Sequence, residues 1–167
     1  MLDLTIHTDG GSRGNPGKSA CAFVVSLGEA VIFEQGLYLG IKTNNEAEYL
    51  GVLGSLKWLK NRLESPAPST VDIEQNPMVQ ADQIALEQIN STLPHQQLTL
   101  TYLLDSLLVV EQLRGHWKIK DARMHVLWQE CQAILANFNF PVTFSHIPRE
   151  ENARADALVN ATLDQKS

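Results

Sequence analysis

Four acidic residues lie in four separate parts of the sequence, each where an apolar run ends or a helix is expected to begin. They are Asp9, Glu48, Asp105 and Asp156. If folding brings these carboxylates together, their mutual repulsion costs on the order of several kcal/mol unless cations neutralise it, because like charges in one partly buried site do not all stay ionised alone. The pattern therefore predicts a site for divalent metal ions.

The pattern of apolar residues predicts an α/β chain that would position these acids. Alternating or compact apolar runs predict strands, at residues 2–8, 20–26, 30–39, 98–104 and 142–146. Apolar residues at helical spacing predict helices, at about residues 44–64, 106–113, 124–137 and 152–164. We expect the first three strands to pair antiparallel and the later strands, which are joined through helices, to pair in parallel. Sites in such sheets form at the strand ends.

The composition predicts one soluble domain. The 167 residues with 44% hydrophobic content suit a single core. Cys21 and Cys131 lie far apart and have no CxxC or HxxxH partner, so we expect buried free thiols and a cytoplasmic location. The N-terminal residues lack the features of a signal peptide, and no apolar run approaches the roughly 18 residues of a membrane span. We therefore expect no export and no membrane partner.

The charge distribution qualifies the argument from net charge. A formal charge of −6 argues against nucleic-acid binding, which basic domains usually perform. Basic residues are absent from 63–113, however, and four of the 13 then follow within ten positions, beside Trp117. These four are Arg114, Lys118, Lys120 and Arg123. Such a chain could hold a phosphate backbone on one basic edge.

The segment 11–19 has a superficial likeness to a nucleotide-binding P-loop, because it follows a strand and ends in Gly-Lys-Ser. That motif needs a glycine at position 12, which is Ser12, and it opens a helix, whereas residues 20–25 predict a strand. The segment is therefore not expected to bind phosphate in that way. A flexible hairpin explains its glycines but not why Asp9 directly precedes them.

Four sequence blocks together resemble the type 1 ribonuclease H family. They are TDGGSRGNPG at 8–17, TNNEAEY at 43–49, DSLLVV at 105–110 with GHWK at 115–118, and HIPR at 146–149 with Asn152, Ala155 and Asp156. The resemblance covers nearly the whole chain except one insertion. It implies a three-layer fold, in which helices flank a five-stranded mixed sheet. It also implies hydrolysis of the RNA strand of RNA/DNA hybrids by two Mg²⁺ ions, with Mn²⁺ as a substitute, giving 5′-phosphate and 3′-hydroxyl ends.

The resemblance also implies roles for the acids. Asp9 would bridge both ions, Glu48 and Asp105 would hold one, and Asp156 would hold the other. A surface acid or a charge at a helix end is the alternative for each. His146 would help proton transfer or product departure, and a partly exposed structural histidine is its alternative.

The residues expected to contact substrate come from the same blocks. They are Gly10, Gly11, Ser12, Asn15, Asn44, Asn45, Trp117, Lys118, Lys120 and Arg149. By resemblance the three asparagines touch the hybrid from its minor groove, where amides can recognise base edges and the 2′-hydroxyl. Turns, caps and packing are the alternatives for the asparagines and Trp117. Arg149 would contact phosphate, or is a surface arginine beside the helix.

Two other acids are set aside on local grounds. Glu46 stands three residues after Thr43, which predicts a capping box at the start of the helix. Asp72 competes with Asp105 as the third metal ligand, but no helix of the Asp105 type follows it. We therefore expect neither residue to be catalytic.

The chain departs from its family in two places. It has no long basic protrusion after the Asp105 helix and begins directly with its first strand, so we expect weak, strongly salt-sensitive substrate binding. Residues 65–97 form an insertion, in which a helix at about 77–90 is plausible. This insertion contains no Lys or Arg, which favours padding against the fold, with a protein-partner surface as the alternative.

The function expected from the sequence is that of a hybrid-specific endoribonuclease, in one domain over residues 1–167 and in a monomer. A non-catalytic nucleic-acid or protein-binding module of the same fold is the main alternative. A DNA-cleaving relative is a second one. Retention of all four carboxylates and of His146 argues against the first, and the set of asparagines argues against the second.

Overall fold

The computed structural model describes residues 2–64 and 98–166. Five strands are present: β1 (Leu2–Gly14), β2 (Gly17–Leu27), β3 (Ala30–Lys42), β4 (Leu98–Leu104) and β5 (Val142–His146). The α-helices are α1 (Asn44–Glu64), α2 (Leu107–Leu113), α3 (Ala122–Leu135) and α4 (Ala153–Asp164), and a short 3₁₀ helix (Arg149–Asn152) precedes α4. The predicted helix at 77–90 and Asp72 lie outside the described residues.

The strands form one mixed sheet in the order β3-β2-β1-β4-β5. Strand β1 pairs antiparallel with β2, and β2 pairs antiparallel with β3. Strand β4 pairs in parallel with both β1 and β5, in a register that sets Leu104 opposite Thr8 on one side and His146 on the other. The predicted fold class is confirmed. Because β1, β4 and β5 run in the same direction, Asp9, Asp105 and His146 meet at one edge of the sheet.

Helices cover both faces of the sheet and give the fold three layers. Helices α1, α2 and α3 contribute to the larger core, in which Tyr49, Val52 and Leu56 are fully buried. On the other face, Val159 and Leu163 of α4 pack against the small side chains of β2. Residues Cys21 and Cys131 are buried and free, as predicted. No helix within residues 2–64 and 98–166 is both long and apolar enough to cross a membrane.

The hairpin of β1 and β2 is longer than predicted. Strand β1 continues past Asp9 to Gly14, so the expectation that Asp9 ends a strand before a loop is wrong. The glycines take part in the pairing, with Gly10 opposite Cys21 and Gly11 opposite Ala20. Gly10 is also required sterically, because a Cβ there would lie 2.2 Å from the carbonyl carbon of Ala47. Gly10 thus lets α1 approach β1 closely, and the strand continues through both glycines.

Two of the helix boundaries differ by a few residues from the prediction. Helix α3 begins at Ala122 rather than 124, because the Asp121 side chain accepts from the amides of Arg123 and Met124 and caps its N-terminus. The last helix is preceded by a 3₁₀ turn, so α4 begins at Ala153. The capping box at the start of α1 is confirmed: the amide of Thr43 donates to Glu46 Oε2 (2.9 Å), and the amide of Glu46 donates to Thr43 Oγ1 (3.2 Å).

Candidate active site

Three of the four predicted carboxylates meet in one cluster. Asp9 from β1, Glu48 from α1 and Asp105 after β4 each offer one oxygen atom, and these atoms all lie within 4.8 Å of one another. The elements explain the meeting, because the register of β1 and β4 brings Asp9 beside Asp105, and Gly10 of β1 lets α1 approach closely. Oxygen atoms at such separations can coordinate a hard divalent cation.

The carboxylates of the cluster repel one another in a largely buried site. Burial, and next the charge of Asp105, raise the pKa of Asp9 from 3.8 to about 7. Burial, and next the charge of Asp9, raise the pKa of Glu48 well above its ordinary value. Glu48 Oε2 is buried and has no hydrogen-bond partner among the described residues. A divalent cation would supply both the missing partner and the missing charge, so these residues fit a metal ion.

Asp156 lies outside this cluster but lines the same cavity, which has a volume of about 490 Å³. It lies in the first turn of α4, and its Oδ1 accepts from Arg149 Nη2 at 3.2 Å. Asn160, one turn later, donates to the other carboxylate oxygen at 3.4 Å. The charge of Asp156 contributes to the raised pKa of Asp9. The Asp156 carboxylate therefore repels the carboxylate of Asp9, and it also forms an ion pair with Arg149.

His146 lies beside the cluster, at the end of β5, and its side chain is exposed. Its Nε2 donates to the backbone carbonyl oxygen of Asp105 at 3.2 Å, although His146 does not line the cavity. The structure thus places His146 next to one member of the cluster. This contact requires the tautomer that carries the proton on Nε2.

Asn152 contacts the cluster but was not among the predicted site residues. It is 1% exposed, and its Nδ2 donates to the carbonyl oxygen of Thr8 (2.9 Å) and to Asp105 Oδ1 (3.4 Å). The amide therefore joins β1 to the Asp105 carboxylate and fixes its direction. The sequence signal was a helix-start asparagine four residues before Asp156, which predicts a cap and not this long-range contact.

Two of the predicted asparagines tie the hairpin to α1. The amide of Ser12 donates to Asn44 Oδ1 (2.9 Å), and the amide of Asn44 donates to Asn15 Oδ1 (3.1 Å). Asn44 and Asn45 line the cavity, as do Gly10, Gly11 and Ser12, whereas Asn15 does not. The side-chain oxygen atoms of Asn15 and Asn44 therefore have partners within the protein. Within the described part of the chain, no residue accepts a hydrogen bond from their Nδ2 groups.

Comparison with known proteins agrees with this architecture. A family model described as reverse transcriptase-like matches residues 79–162, half of the chain. Ribonuclease HI of Halobacterium salinarum is 31% identical over 95% of this chain and 63% of its own length. A bifunctional protein of Mycobacterium tuberculosis is 30% identical over 98% of this chain and 36% of its own length. LC11-RNase H1, solved in complex with an RNA/DNA hybrid, superposes with a TM-score of 0.73 at 28% identity, covering 98% of each chain.

The chain belongs to the type 1 ribonuclease H family. It spans about a third of the length of the Mycobacterium tuberculosis relative and less than two thirds of the Halobacterium enzyme. Its described residues form the sheet that this family's fold requires.

In this ribonuclease H domain, the substrate contacts predicted in the segment after α2 lie away from the carboxylates, unlike Arg149, which pairs with Asp156. Trp117, Lys118 and Lys120 are exposed, and none of them lines the cavity of the acids. They belong to a connector, residues 114–121, between α2 and α3. Just beyond the connector, Arg123 Nη1 lies 4.0 Å from Glu46 Oε2 in the first turn of α1. The connector therefore approaches the same end of α1 that carries Asn44 and Asn45.

The described cavity also contains residues that sequence reasoning did not select. They are Arg13, Ser106, Val159, Asn160 and Leu163. Ser106 has a structural role, since its side chain accepts from the amide of Val109 and caps α2. Asn160 stands four residues after Asp156, so helical spacing would have predicted its contact with that carboxylate.

Proposed function

We propose that this chain is a metal-dependent endoribonuclease that hydrolyses the RNA strand of RNA/DNA hybrids and leaves 5′-phosphate and 3′-hydroxyl ends. The observation that carries the proposal is the cluster of mutually repelling carboxylates Asp9, Glu48 and Asp105, with oxygen atoms within 4.8 Å, in a member of the ribonuclease H family. The hybrid-bound complex of LC11-RNase H1, a structure of the same fold, supports the choice of substrate.

Two Mg²⁺ ions, or Mn²⁺ in their place, would supply an activated water and neutralise charge on the leaving oxygen when bound. Asp9, Glu48 and Asp105 would hold one ion, and Asp156 would share the other with Asp9. Asn152 keeps the Asp105 carboxylate directed into the cavity through its 3.4 Å contact. His146 is fixed beside Asp105 by its 3.2 Å hydrogen bond, where its imidazole can carry a proton toward or away from the site.

The surrounding groups would bind the hybrid. Asn45 and the Nδ2 groups of Asn15 and Asn44 would recognise the RNA strand, because amides can contact the 2′-hydroxyl that distinguishes RNA from DNA. Gly10, Gly11 and Ser12 form the wall of the cavity beside them. Arg149 would hold a phosphate group, and Trp117, Lys118 and Lys120 would face the DNA strand.

The proposal extends to the organisation of the chain. Residues 1–167 would form one catalytic domain that acts as a cytoplasmic monomer, with 65–97 as an insertion that is not needed for chemistry. Deleting residues 67–96 should leave measurable hybrid cleavage. Complete loss of activity in a folded deletion variant would contradict this assignment.

The test uses end-labelled RNA/DNA hybrid, RNA duplex and DNA duplex, each with Mg²⁺, Mn²⁺ or EDTA. We expect metal-dependent cutting that is confined to the RNA strand of the hybrid and is lost in Asp9→Asn. Glu29→Gln, which changes an exposed acid in the β2–β3 turn, is the matched control and should retain activity. Fragment mobility before and after phosphatase treatment identifies the ends.

The outcomes separate the alternatives. Cutting in EDTA would overturn the metal-dependent mechanism, and cutting of the DNA duplex would favour a DNA-cleaving relative. Binding of hybrid without cleavage under any metal condition would favour a non-catalytic module of the same fold.

A further inference from the structure

A buried amide links α1, which carries Glu48, and α2, which begins shortly after Asp105, to the exposed connector. Gln112 is 4% exposed and lies in α2. Its Oε1 accepts from the hydroxyl of the buried Tyr49 at 2.7 Å, and its Nε2 donates to the backbone carbonyl oxygen of Lys118 at 3.4 Å. Both ends of one side chain are therefore engaged, and they join α1, α2 and the connector.

The connector needs such a bond because its middle has no regular structure. Near its start, the amides of His116 and Trp117 donate to the carbonyl oxygen of Glu111, at 2.9 and 3.2 Å. At its end, Asp121 caps α3. The intervening residues 118–120 form neither helix nor strand. Here the amide of Gln112 holds the backbone, and the partly buried Ile119 packs against the core.

The same network is adjacent to the acids in sequence. Tyr49 directly follows Glu48, and Gln112 lies in the helix whose cap, Ser106, directly follows Asp105. Gln112 also lines a hollow of about 470 Å³ together with Trp117 and Lys118. Gln112 thus fixes the position of the connector relative to α1, which carries Glu48, and relative to α2, which begins shortly after Asp105.

We propose that Gln112 is a positioning residue that fixes the connector relative to the acidic cluster, so that Trp117, Lys118 and Lys120 meet the DNA strand while the RNA strand lies at the carboxylates. This inference rests on the proposed function. It assigns Gln112 to substrate binding through its effect on the connector, with no direct contact to substrate or metal.

Two variants separate positioning from simple packing. Gln112→Met keeps the length of the side chain but removes both hydrogen bonds. Tyr49→Phe removes only the hydroxyl, so it disturbs the same buried network and leaves the bond to Lys118 in place. Both variants leave a buried polar group without its partner, so both are expected to lose some thermal stability. A difference in behaviour between the two variants therefore reports the loss of the hydrogen bond from Gln112 to the connector.

Hydrogen exchange measures the connector without any substrate. We expect amide exchange in residues 116–120 to become at least about tenfold faster in Gln112→Met and to stay within about twofold of wild type in Tyr49→Phe. Unchanged exchange in Gln112→Met would overturn the inference, because the connector would then be held by other contacts.

Kinetics on the hybrid then measure what the connector does. Well below the unfolding temperature, Gln112→Met should raise KM about tenfold with kcat within about twofold, whereas Tyr49→Phe should leave KM near wild type. The dependence of log KM on log salt concentration should also become shallower in Gln112→Met, by about one unit of slope for each lysine that no longer reaches a phosphate.

The outcomes distinguish this inference from the function on which it rests. An unchanged KM and salt dependence in Gln112→Met, with an active wild type, would overturn the positioning role alone. A wild type that does not cut hybrid would overturn the proposed function and the role in substrate binding together, and the exchange data would still show whether Gln112 holds the connector.

Discussion

The cavity has two halves, and the carboxylates of the two halves differ in their burial and in their ion pairs. Asp9, Glu48 and Asp105 form no ion pair with a lysine, arginine or histidine of the described residues, and Asp9 is only 5% exposed. Asp156 lies on α4, where its side chain is 31% exposed and pairs with Arg149 at 3.2 Å. The first half stores unfavourable electrostatic energy that a cation can release, whereas the second already has its cation. The difference indicates that the first half has the stronger demand for metal.

The packing of the two halves differs in the same direction. The first half is built on β1, β4 and α1, whose packing leaves Leu104 and Tyr49 fully buried. The second half lies on a 3₁₀ turn and the first turn of α4, and Arg149 itself is exposed. Groups on such a turn can change partners at low cost. We therefore expect the first half to bind metal in a fixed geometry and the second half to adjust when substrate arrives.

The largest expected effect comes from Glu48→Gln. Loss of a metal-binding carboxylate should lower kcat at least about thousandfold, a loss on the order of 4 kcal/mol of transition-state stabilisation. In EDTA at pH 8 the same variant should be more stable than wild type by about 1–3 kcal/mol, because it removes the repulsion between Glu48 and the neighbouring carboxylates of Asp9 and Asp105 in a buried site. Urea denaturation and single-turnover cleavage measure the two effects.

Glu29→Gln is again the matched control, and it should change neither quantity. Lower stability of Glu48→Gln in EDTA would break the comparison, because it would mean that the protein itself compensates the charge of the first half.

The pH dependence of metal stabilisation should be next in size. In EDTA, the Asp9 pKa of about 7, against an ordinary 3.8, means that the folded state binds the proton more tightly than the unfolded state. Its contribution to the free energy of unfolding is therefore fully present below about pH 4 and is lost as the pH rises to about 7, by at most about 1.4 kcal/mol per unit.

Metal should act in the opposite direction, because it binds the ionised carboxylates. Stabilisation by Mg²⁺ should grow up to about pH 7 and then level off, and it should reach about 2.7 kcal/mol at a concentration 100 times the Kd. Melting curves at pH 5, 6, 7 and 8 with Mg²⁺ or EDTA measure this. In Asp9→Asn both trends should be much weaker, and equal Mg²⁺ stabilisation at pH 5 and pH 8 would contradict the assignment.

A smaller effect is expected from Asp156→Asn in the second half. It should lower kcat about 10- to 100-fold, because the less buried acid shares only one of the two ions. Its free energy of unfolding should change by less than about 1 kcal/mol, since it loses only an exposed ion pair. Glu34→Gln is a close control, because Glu34 also pairs with an arginine of α4, Arg154 at 2.6 Å, but lies outside the cavity.

The result for Asp156→Asn can sharpen or break the comparison. Activity of Glu34→Gln should equal wild type. A gain of stability in Asp156→Asn, of the size expected for Glu48→Gln, would show that the two halves of the cavity carry the same electrostatic strain.

Much of the first half could be predicted from the sequence. The bounds of β4 and β5 were predicted correctly, and the meeting of Asp9, Glu48 and Asp105 followed from strand ends and the family pattern. The extent of β1 was not predicted, because glycines usually break strands, and here Gly10 is needed for contact between two elements distant in sequence.

The second half could not be predicted in the same way. Arg149 lies in a 3₁₀ turn, seven residues before Asp156. The sequence predicted a helix from about residue 152 but no 3₁₀ turn before it, so the contact between these two side chains was not predicted. The contact of Asn152 with Thr8 and Asp105 likewise depends on how α4 is docked on the sheet. Local patterns identify the residue types, but tertiary packing decides which cation or amide each carboxylate meets.

The smallest expected effect comes from Arg149→Met, which keeps much of the apolar stem and removes the charge. Without the guanidinium, Asp156 is free to meet a cation, and one positive charge no longer opposes the entry of metal. We therefore expect Mg²⁺ or Mn²⁺ to bind two- to fivefold more tightly in the absence of substrate, a gain of about 0.4–1 kcal/mol. Arg154→Met, which breaks the ion pair between Arg154 of α4 and Glu34 of β3, is the control and should leave metal affinity unchanged. Calorimetric titration at low salt measures the difference. Weaker metal binding in Arg149→Met would mean that Arg149 holds Asp156 in the geometry that metal requires, and the second half would then be as preorganised as the first.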